Sequence, residues 1–136
     1  MKDQIVAKLL RAAAQRLTAA EFLLTNDALW LESMYIAGYG VEIDLKALLL
    51  HRTAPSLRAS VFKEFRGAGW HDLHLLKKEL EQKRCPFTAD LMRHFTRVAT
   101  WNTALRYEVG RKRYDEADLF LKSAKEIHSW VKEMTS

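Results

Sequence analysis

Two side chains near the middle of the sequence have the types needed to cleave a phosphodiester without a metal ion. Arg66 and His71 are separated by four residues, two of which are glycine. Histidine accepts a proton near neutral pH and can act as a general base toward a ribose 2′-hydroxyl, while arginine places positive charge beside the phosphate. His74 is a candidate helper. The simpler interpretation is that His71 begins a helix and hydrogen-bonds to nearby backbone.

A second candidate site lies in a basic run in the last third of the chain. It consists of four cations and the two tyrosines beside them: Arg106, Tyr107, Arg111, Lys112, Arg113 and Tyr114. Cations bind phosphates while aromatic rings stack on bases, so this run is a predicted site for RNA or nucleotide phosphate. The alternative is a solvated connector whose arginines interact with the C-terminal end of the preceding helix. Four further cations extend the patch only if they share its face: Lys77, Lys78, Arg93 and Arg97.

The composition is that of one ordered domain, residues 1–136, with a modest preference for anionic partners. Hydrophobic residues make up 49% of the chain and charged residues 29%, which argues against disorder. The 22 Lys and Arg residues exceed the 17 Asp and Glu residues, and the net charge of +5 favours nucleotide or nucleic-acid partners. A single cysteine, Cys85, excludes an internal disulfide and favours the cytoplasm. We expect no membrane span and no secretory signal, because the apolar runs are short and interrupted by charge.

The sequence predicts no metal ion or other cofactor. His71 and His74 are close in sequence, but no cysteine or carboxylate is spaced to complete a metal site with them. No Glu-x-x-His pair occurs, which argues against a carboxylate-bridged di-iron site of the kind found in four-helix bundles.

Helical spacing of apolar residues runs through the whole chain and predicts an all-α fold. The breaks between apolar stripes coincide with turn residues, and Asp27 and Thr88 are predicted helix caps. The predicted helices span about 3–25, 28–51, 56–65, 71–83, 88–108 and 115–134. We therefore expect an antiparallel bundle of four to five helices with short extra helices.

The second predicted helix is apolar on nearly every side, so we expect it at the centre of the bundle. It nevertheless contains two glycines and three charged residues: Gly38, Gly40, Glu42, Asp44 and Lys46. The glycines are expected to admit a neighbouring backbone, from the first helix or from a second subunit. The three charged residues are predicted to form a buried polar network that pairs with a basic residue such as Arg106. The alternative is an exposed pair of Glu42 and Lys46 on the helix surface.

Part of this helix carries a recognisable motif. Residues 35–49, YIAGYGVEIDLKALL, resemble the Y-x-A-G-x-x-x-E-x-x-L-K-A-L-L signature of the HEPN superfamily. Weaker features follow in the family's order: His71-Asp72-Leu73, then Trp101 with Arg106-Tyr107, then the amphipathic segment 120–127. The resemblance implies an antiparallel helical bundle, commonly a homodimer, that often occurs beside a minimal nucleotidyltransferase in toxin–antitoxin systems. For active members it implies a metal-independent RNase, whose Arg and His are separated by four to six residues at a dimer cleft.

The chain departs from the nuclease motif at the position where the family carries it. Arg106 is present, but Arg111 or Lys112 stands where the histidine is expected, and both side chains stay protonated at neutral pH. Phosphate-binding charge is thus retained without the proton acceptor. If Lys112 occupies the histidine position, Tyr114 occupies a position at which some family toxins are modified by a nucleotide.

Three functions follow from these residues. We expect the first, binding of nucleotide or RNA phosphate in a basic cleft together with a nucleotidyltransferase partner. The second is a metal-independent RNase toxin that uses Arg66 and His71, or Arg106. The third is a non-catalytic adaptor that binds only protein.

Overall fold

Helices make up most of the described structure. The computed structural model describes residues 3–67, 69–102, 107–109 and 112–136, and within these ranges no strand forms. The α-helices are α1 (Gln4–Leu24), α2 (Trp30–His51), α3 (Arg58–Glu64), α4 (Leu73–Gln82), α5 (Ala89–Val98) and α6 (Tyr114–Thr135). Single 3₁₀ turns at Asp27–Leu29 and Pro55–Leu57 precede α2 and α3. The predicted all-α fold is confirmed.

The first helix begins at a capping carboxylate and buries one apolar stripe. Asp3 accepts hydrogen bonds from the backbone N–H groups of Ile5 (2.8 Å) and Val6 (3.4 Å). The helix packs against α2 and α6. Its buried stripe consists of Val6, Leu10, Ala13, Leu17 and Ala20. A short connection joins α1 to α2, so these two helices lie antiparallel.

Helix α2 lies at the centre, as its composition predicts. It contacts α1, α4 and α6, and 15 of its 22 residues are buried, which is too many for a helix with one face in solvent. The predicted cap, Asp27, is wrong. Asn26 instead accepts a hydrogen bond from the Ala28 N–H at 2.9 Å and starts the 3₁₀ turn. That turn leads directly into α2, which begins at Trp30 without a side-chain cap.

The two glycines of α2 admit different neighbours. A Cβ on Gly40 would lie 3.1 Å from the Leu17 side chain and 3.5 Å from the Ala13 carbonyl oxygen, so this glycine lets α1 approach closely, as predicted. A Cβ on Gly38 would overlap the indole ring of Trp101. The neighbour of Gly38 is therefore a tryptophan side chain, and the expectation of a neighbouring backbone is wrong at this position.

Helix α5 is shorter than predicted. The capping hydroxyl of Thr88 accepts from the Leu91 N–H at 3.1 Å, as expected, but the helix ends at Val98 instead of near 108. The chain turns away so that Trp101 can bury its ring against Gly38, where the indole N–H donates to the Tyr35 carbonyl at 3.0 Å. Burial of this large ring outweighs continuation of the helix.

Helix α6 closes the bundle against α1, α2 and α5. It begins at Tyr114, whose ring packs edge-on against Trp30 with 5.6 Å between the ring centroids. Its buried stripe includes Phe120, Ala124, Ile127 and Val131. In the part of the chain that the structure describes, no helix has both the length and the apolar character that crossing a membrane requires.

Candidate functional site

Glu42 and Lys46 form an ion pair inside the bundle. The Nζ atom of Lys46 lies 2.9 Å from Oε2 of Glu42, and the two side chains are 10% and 5% exposed. His71, which lies just before α4, places Nδ1 3.2 Å from both carboxylate oxygens of Glu42. The structure thus brings together one carboxylate, one ammonium and one imidazole. The predicted basic partner, Arg106, lies outside the described residues.

The contact with Glu42 engages one ring nitrogen of His71 and leaves the other available. An Nδ1–H that donates to Glu42 leaves the lone pair on Nε2 available, and half of the His71 side chain is exposed to solvent. The cap of α4 is Asp72, whose carboxylate accepts from the His74 N–H at 2.9 Å. The interpretation of His71 as a helix-start residue bonded to backbone is therefore replaced by a side-chain pair. Arg66 is exposed in the turn after α3.

Aromatic rings cover the ammonium end of the Glu42–Lys46 pair. The Nζ atom of Lys46 lies 5.4 Å from the centroid of the Phe65 ring, and Trp70 packs edge-on against Phe65 at 5.1 Å. The ring face and the carboxylate together offset the cost of removing this cation from water.

Asp44 does not belong to the network of Glu42 and Lys46, so this part of the prediction is wrong. Successive helix residues are rotated by about 100°, so side chains two positions apart point to nearly opposite sides. Asp44 faces α6, where Nδ1 of His128 lies 2.8 and 3.0 Å from its carboxylate oxygens. Burial raises the pKa of Asp44 from 3.8 to about 6, although the hydrogen bond from His128 and the charges of His128 and Lys132 oppose this rise.

The described cations of the basic run pair with neighbouring carboxylates. The Nζ atom of Lys112 lies 3.3 Å from Oε2 of Glu108, and Nη2 of Arg113 lies 3.3 Å from Oδ2 of Asp115. These pairs are at the surface and offset part of the positive charge that the sequence suggested. Arg111 lies outside the described residues.

The two tyrosines of the basic run are exposed but have different surroundings. Tyr107 is 75% exposed and Tyr114 is 49% exposed, so both rings are accessible to a planar ligand. Tyr114, however, borders a depression of about 280 Å³ that also contains Glu21 and Asp27. Glu21 pairs with Lys125, so the surroundings of Tyr114 carry both signs of charge.

A groove of about 400 Å³ lies between α5 and α6 and has a polar side and an apolar side. Its lining consists of Met34, Arg93, Thr96, Arg97, Thr100, Glu116, Leu119 and Phe120. A second depression of about 420 Å³ shares Thr96 and Thr100 with this groove and adds His74 and Lys77. The two grooves therefore adjoin each other along α5, and apolar surface makes up most of the lining of both.

A buried hydroxyl fixes one of the two arginines in the groove between α5 and α6. Ser123 is fully buried on α6, accepts a hydrogen bond from Nη1 of Arg97 at 2.9 Å and lies 3.0 Å from Nδ1 of His94. Arg93 instead forms a close ion pair with Asp90. A guanidinium has five N–H donors, so Arg97 retains donors for a ligand after binding Ser123.

Sequence reasoning missed His128 and Ser123. Each lies on α6 next to a residue of the buried stripe, Ile127 in one case and Ala124 in the other. A polar residue beside core positions is the signal that was available, because a buried polar group requires a partner on a facing helix. Among the described residues, no three His, Cys, Asp or Glu side chains are grouped closely enough to hold a metal ion.

A comparison of the chain with models of known protein families gives a match across the whole helical bundle. The family model of the HEPN domain matches residues 6–134, from the first turn of α1 to the last turn of α6. No curated protein and no solved structure matches the chain. Because the matched segment is nearly the whole chain, this protein belongs to the HEPN domain family.

Proposed function

We propose that this HEPN domain protein binds a phosphate group of a nucleotide or of RNA in the groove between α5 and α6. The observation that carries the proposal is the placement of Arg97, which lines the groove and is held there by buried Ser123 at 2.9 Å. A guanidinium that is already fixed loses less conformational freedom on binding and can form paired hydrogen bonds to phosphate. Met34 and Phe120 provide an apolar wall for a base or ribose.

The groove is a better phosphate site than the two described cations of the basic run, Lys112 and Arg113. Lys112 and Arg113 each have a carboxylate at 3.3 Å, so a ligand would have to compete with an existing partner. Their charge still adds to the long-range attraction of an anion toward the protein.

Substitution of Arg97 tests the proposal. Binding of a short labelled RNA and of labelled ATP is measured by fluorescence anisotropy at about 50 and 200 mM salt. Arg97→Ala is expected to weaken binding by about tenfold, because a charge-assisted hydrogen bond is lost. Arg16→Ala, on the exposed face of α1, removes the same charge elsewhere and is the control. Equal losses in both variants would mean that binding reflects net charge and not the groove.

A substitution that is expected to strengthen binding, at Glu116, gives a second test. Its carboxylate lines the groove and repels an anion there. Glu116→Gln is expected to tighten binding by about threefold, whereas Glu133→Gln, near the exposed end of α6, is expected to change it little. Weaker binding after Glu116→Gln would place the ligand somewhere else.

A metal-independent RNase activity is the second candidate function, and the contact between Glu42 and His71 favours it. A buried carboxylate 3.2 Å from Nδ1 holds the ring, while half of the side chain remains exposed. His71 would remove the proton from a ribose 2′-hydroxyl, whose oxygen would bond to the phosphorus and displace the 5′-oxygen, and that leaving oxygen would take up a proton. Arg66 in the preceding turn would offset charge on the phosphate.

Cleavage assays separate this activity from binding alone. Labelled RNA is incubated with the purified protein in EDTA, and cleavage that His71→Ala abolishes supports the nuclease. His51→Ala, in the last turn of α2, removes an imidazole that the proposed cleavage does not use and is the control. Cleavage that persists in His71→Ala, or no cleavage by the wild type, would rule out this role for His71.

The proposal also includes a homodimer and a minimal nucleotidyltransferase as partners, which is supported by the family resemblance. Tyr107 and Val109 are 75% and 97% exposed and are candidates for the contact surface. Light scattering measures the mass of the purified protein, and co-expression with a minimal nucleotidyltransferase measures the second contact. A monomer that does not co-purify with the transferase would contradict both.

A further inference from the structure

A separate pocket of about 310 Å³ lies between α1 and α6 and combines an apolar floor with basic side chains. The floor consists of Ala7, Leu10 and Ala14. Three side chains that can carry positive charge line the same pocket: Arg11 from α1, and His128 and Lys132 from α6. The pocket shares no lining residue with the groove between α5 and α6.

A buried carboxylate behind the pocket sets His128 apart from an ordinary surface histidine. Asp44 is fully buried, and Nδ1 of His128 lies 2.8 and 3.0 Å from its two carboxylate oxygens. With Nδ1 occupied by Asp44, Nε2 is the ring nitrogen that remains for a ligand. The His128 side chain is 15% exposed and borders the pocket. Its remaining hydrogen-bonding capacity is therefore available there.

The other two basic side chains of the pocket have no carboxylate partner in the described part of the chain. Arg11 and Lys132 differ in this respect from Lys112 and Arg113, which pair with neighbouring carboxylates. The charged groups that face His128 are Arg11 from α1, Asp44 from α2 and Lys132 from α6 itself. One carboxylate thus faces two permanent cations and a histidine, and an anion would balance the excess positive charge.

We propose that the pocket between α1 and α6 binds a small phosphate-bearing molecule, whose phosphate is held by Arg11, Lys132 and Nε2 of His128. Arg11 offers a planar fork of donors, Lys132 a compact charge, and protonated His128 one directed donor. Asp44 is the positioning residue that fixes the imidazole. The small side chains of the floor leave room for the rest of the ligand.

Sulfate is the first probe, because it stays a dianion over the range of about pH 5.5 to 8 in which histidine changes charge. The imidazole nitrogen signals of His128 are followed by NMR while sulfate replaces chloride at constant ionic strength. We expect a saturable shift of these signals. No saturable change would overturn the proposal.

Matched substitutions show whether the bound anion sits among the named residues. Arg11→Ala and Lys132→Ala are each expected to weaken sulfate binding by about tenfold. The controls, Arg16→Ala and Lys122→Ala, remove the same charges from exposed positions on the same two helices. Circular dichroism confirms that each variant is folded. Equal losses in the variants and their controls would mean that sulfate only screens the net charge.

Two further measurements define the ligand and the role of Asp44. AMP is expected to shift the His128 signals and adenosine is not, because adenosine lacks the phosphate; equal effects would refute phosphate recognition. Asp44→Asn is expected to weaken sulfate binding and to move the imidazole nitrogen signals of His128 in the sulfate-free protein, because the carboxylate partner of Nδ1 is lost. Weaker binding with unchanged His128 signals would assign Asp44 a purely structural role.

Discussion

Replacing Asp44 by asparagine should make the stability of the bundle less dependent on pH. The side chain is fully buried, and its pKa lies near 6 instead of 3.8. The folded protein therefore binds more protons than the unfolded protein between these values, and stability falls as the pH rises from about 4 to about 6. A difference of one in pKa corresponds to about 1.36 kcal/mol, so Asp44 accounts for a loss of about 3 kcal/mol across this range.

Urea denaturation at a series of pH values measures this loss. The free energy of unfolding of Asp44→Asn minus that of the wild type is expected to increase by about 3 kcal/mol between pH 4 and pH 7, then to level off. Asp90→Asn is the control. A hydrogen bond from Arg93 lowers the pKa of Asp90 below 3.8, so the corresponding difference should stay constant over the same range.

The neighbouring histidine must be taken into account when these curves are interpreted. Asp44 and His128 share a hydrogen bond, so protons leave the pair in coupled steps. The same comparison in a His128→Gln background leaves only the carboxyl to titrate. If the difference between Asp44→Asn and its parent stays flat from pH 4 to pH 7.5 in both backgrounds, the reasoning about the buried carboxyl is refuted.

Two further predictions concern α2 and are checked by urea denaturation. Gly38→Ala is expected to lower the free energy of unfolding by about 3 kcal/mol, because the new methyl group would overlap the indole of Trp101. Gly40→Ala meets mainly a flexible side chain and should change this free energy by less than about 1 kcal/mol; equal effects would contradict the contact. Glu42→Gln leaves the buried ammonium of Lys46 without its counter-charge and is expected to cost about 3 kcal/mol. Adding Lys46→Met should recover most of this loss, whereas strictly additive effects would show that the two side chains do not interact.

The sequence was sufficient to predict the central position of α2 but not the end of α5. Apolar residues on nearly every side of α2 indicate that the helix is buried, because an exposed helix would carry a polar face. The end of α5 depends instead on Trp101, whose indole N–H donates to the carbonyl of Tyr35, 66 residues away. No local pattern near Trp101 reveals that contact.

The candidate sites show the same division between local and distant contacts. Glu42 and Lys46 are four residues apart on one helix, so their pairing follows from helix geometry alone. His128 and Asp44 are 84 residues apart, and the sequence offers no way to choose between the possible partners of a buried carboxylate. Asp44 was grouped with Glu42 and Lys46 because the three residues are close in sequence. The rotation of the helix between successive residues, however, points Asp44 to a different side.

The two aromatic residues that flank the segment 102–113, Trp101 and Tyr114, both pack against α2. Trp101 packs against Gly38, and Tyr114 packs against Trp30. These two anchor points are about 12 Å apart along the axis of α2. Lengthening a chain that spans so small a gap adds little entropic cost. The two aromatic anchors, and not the number of residues between them, therefore fix where the chain leaves α5 and where it enters α6.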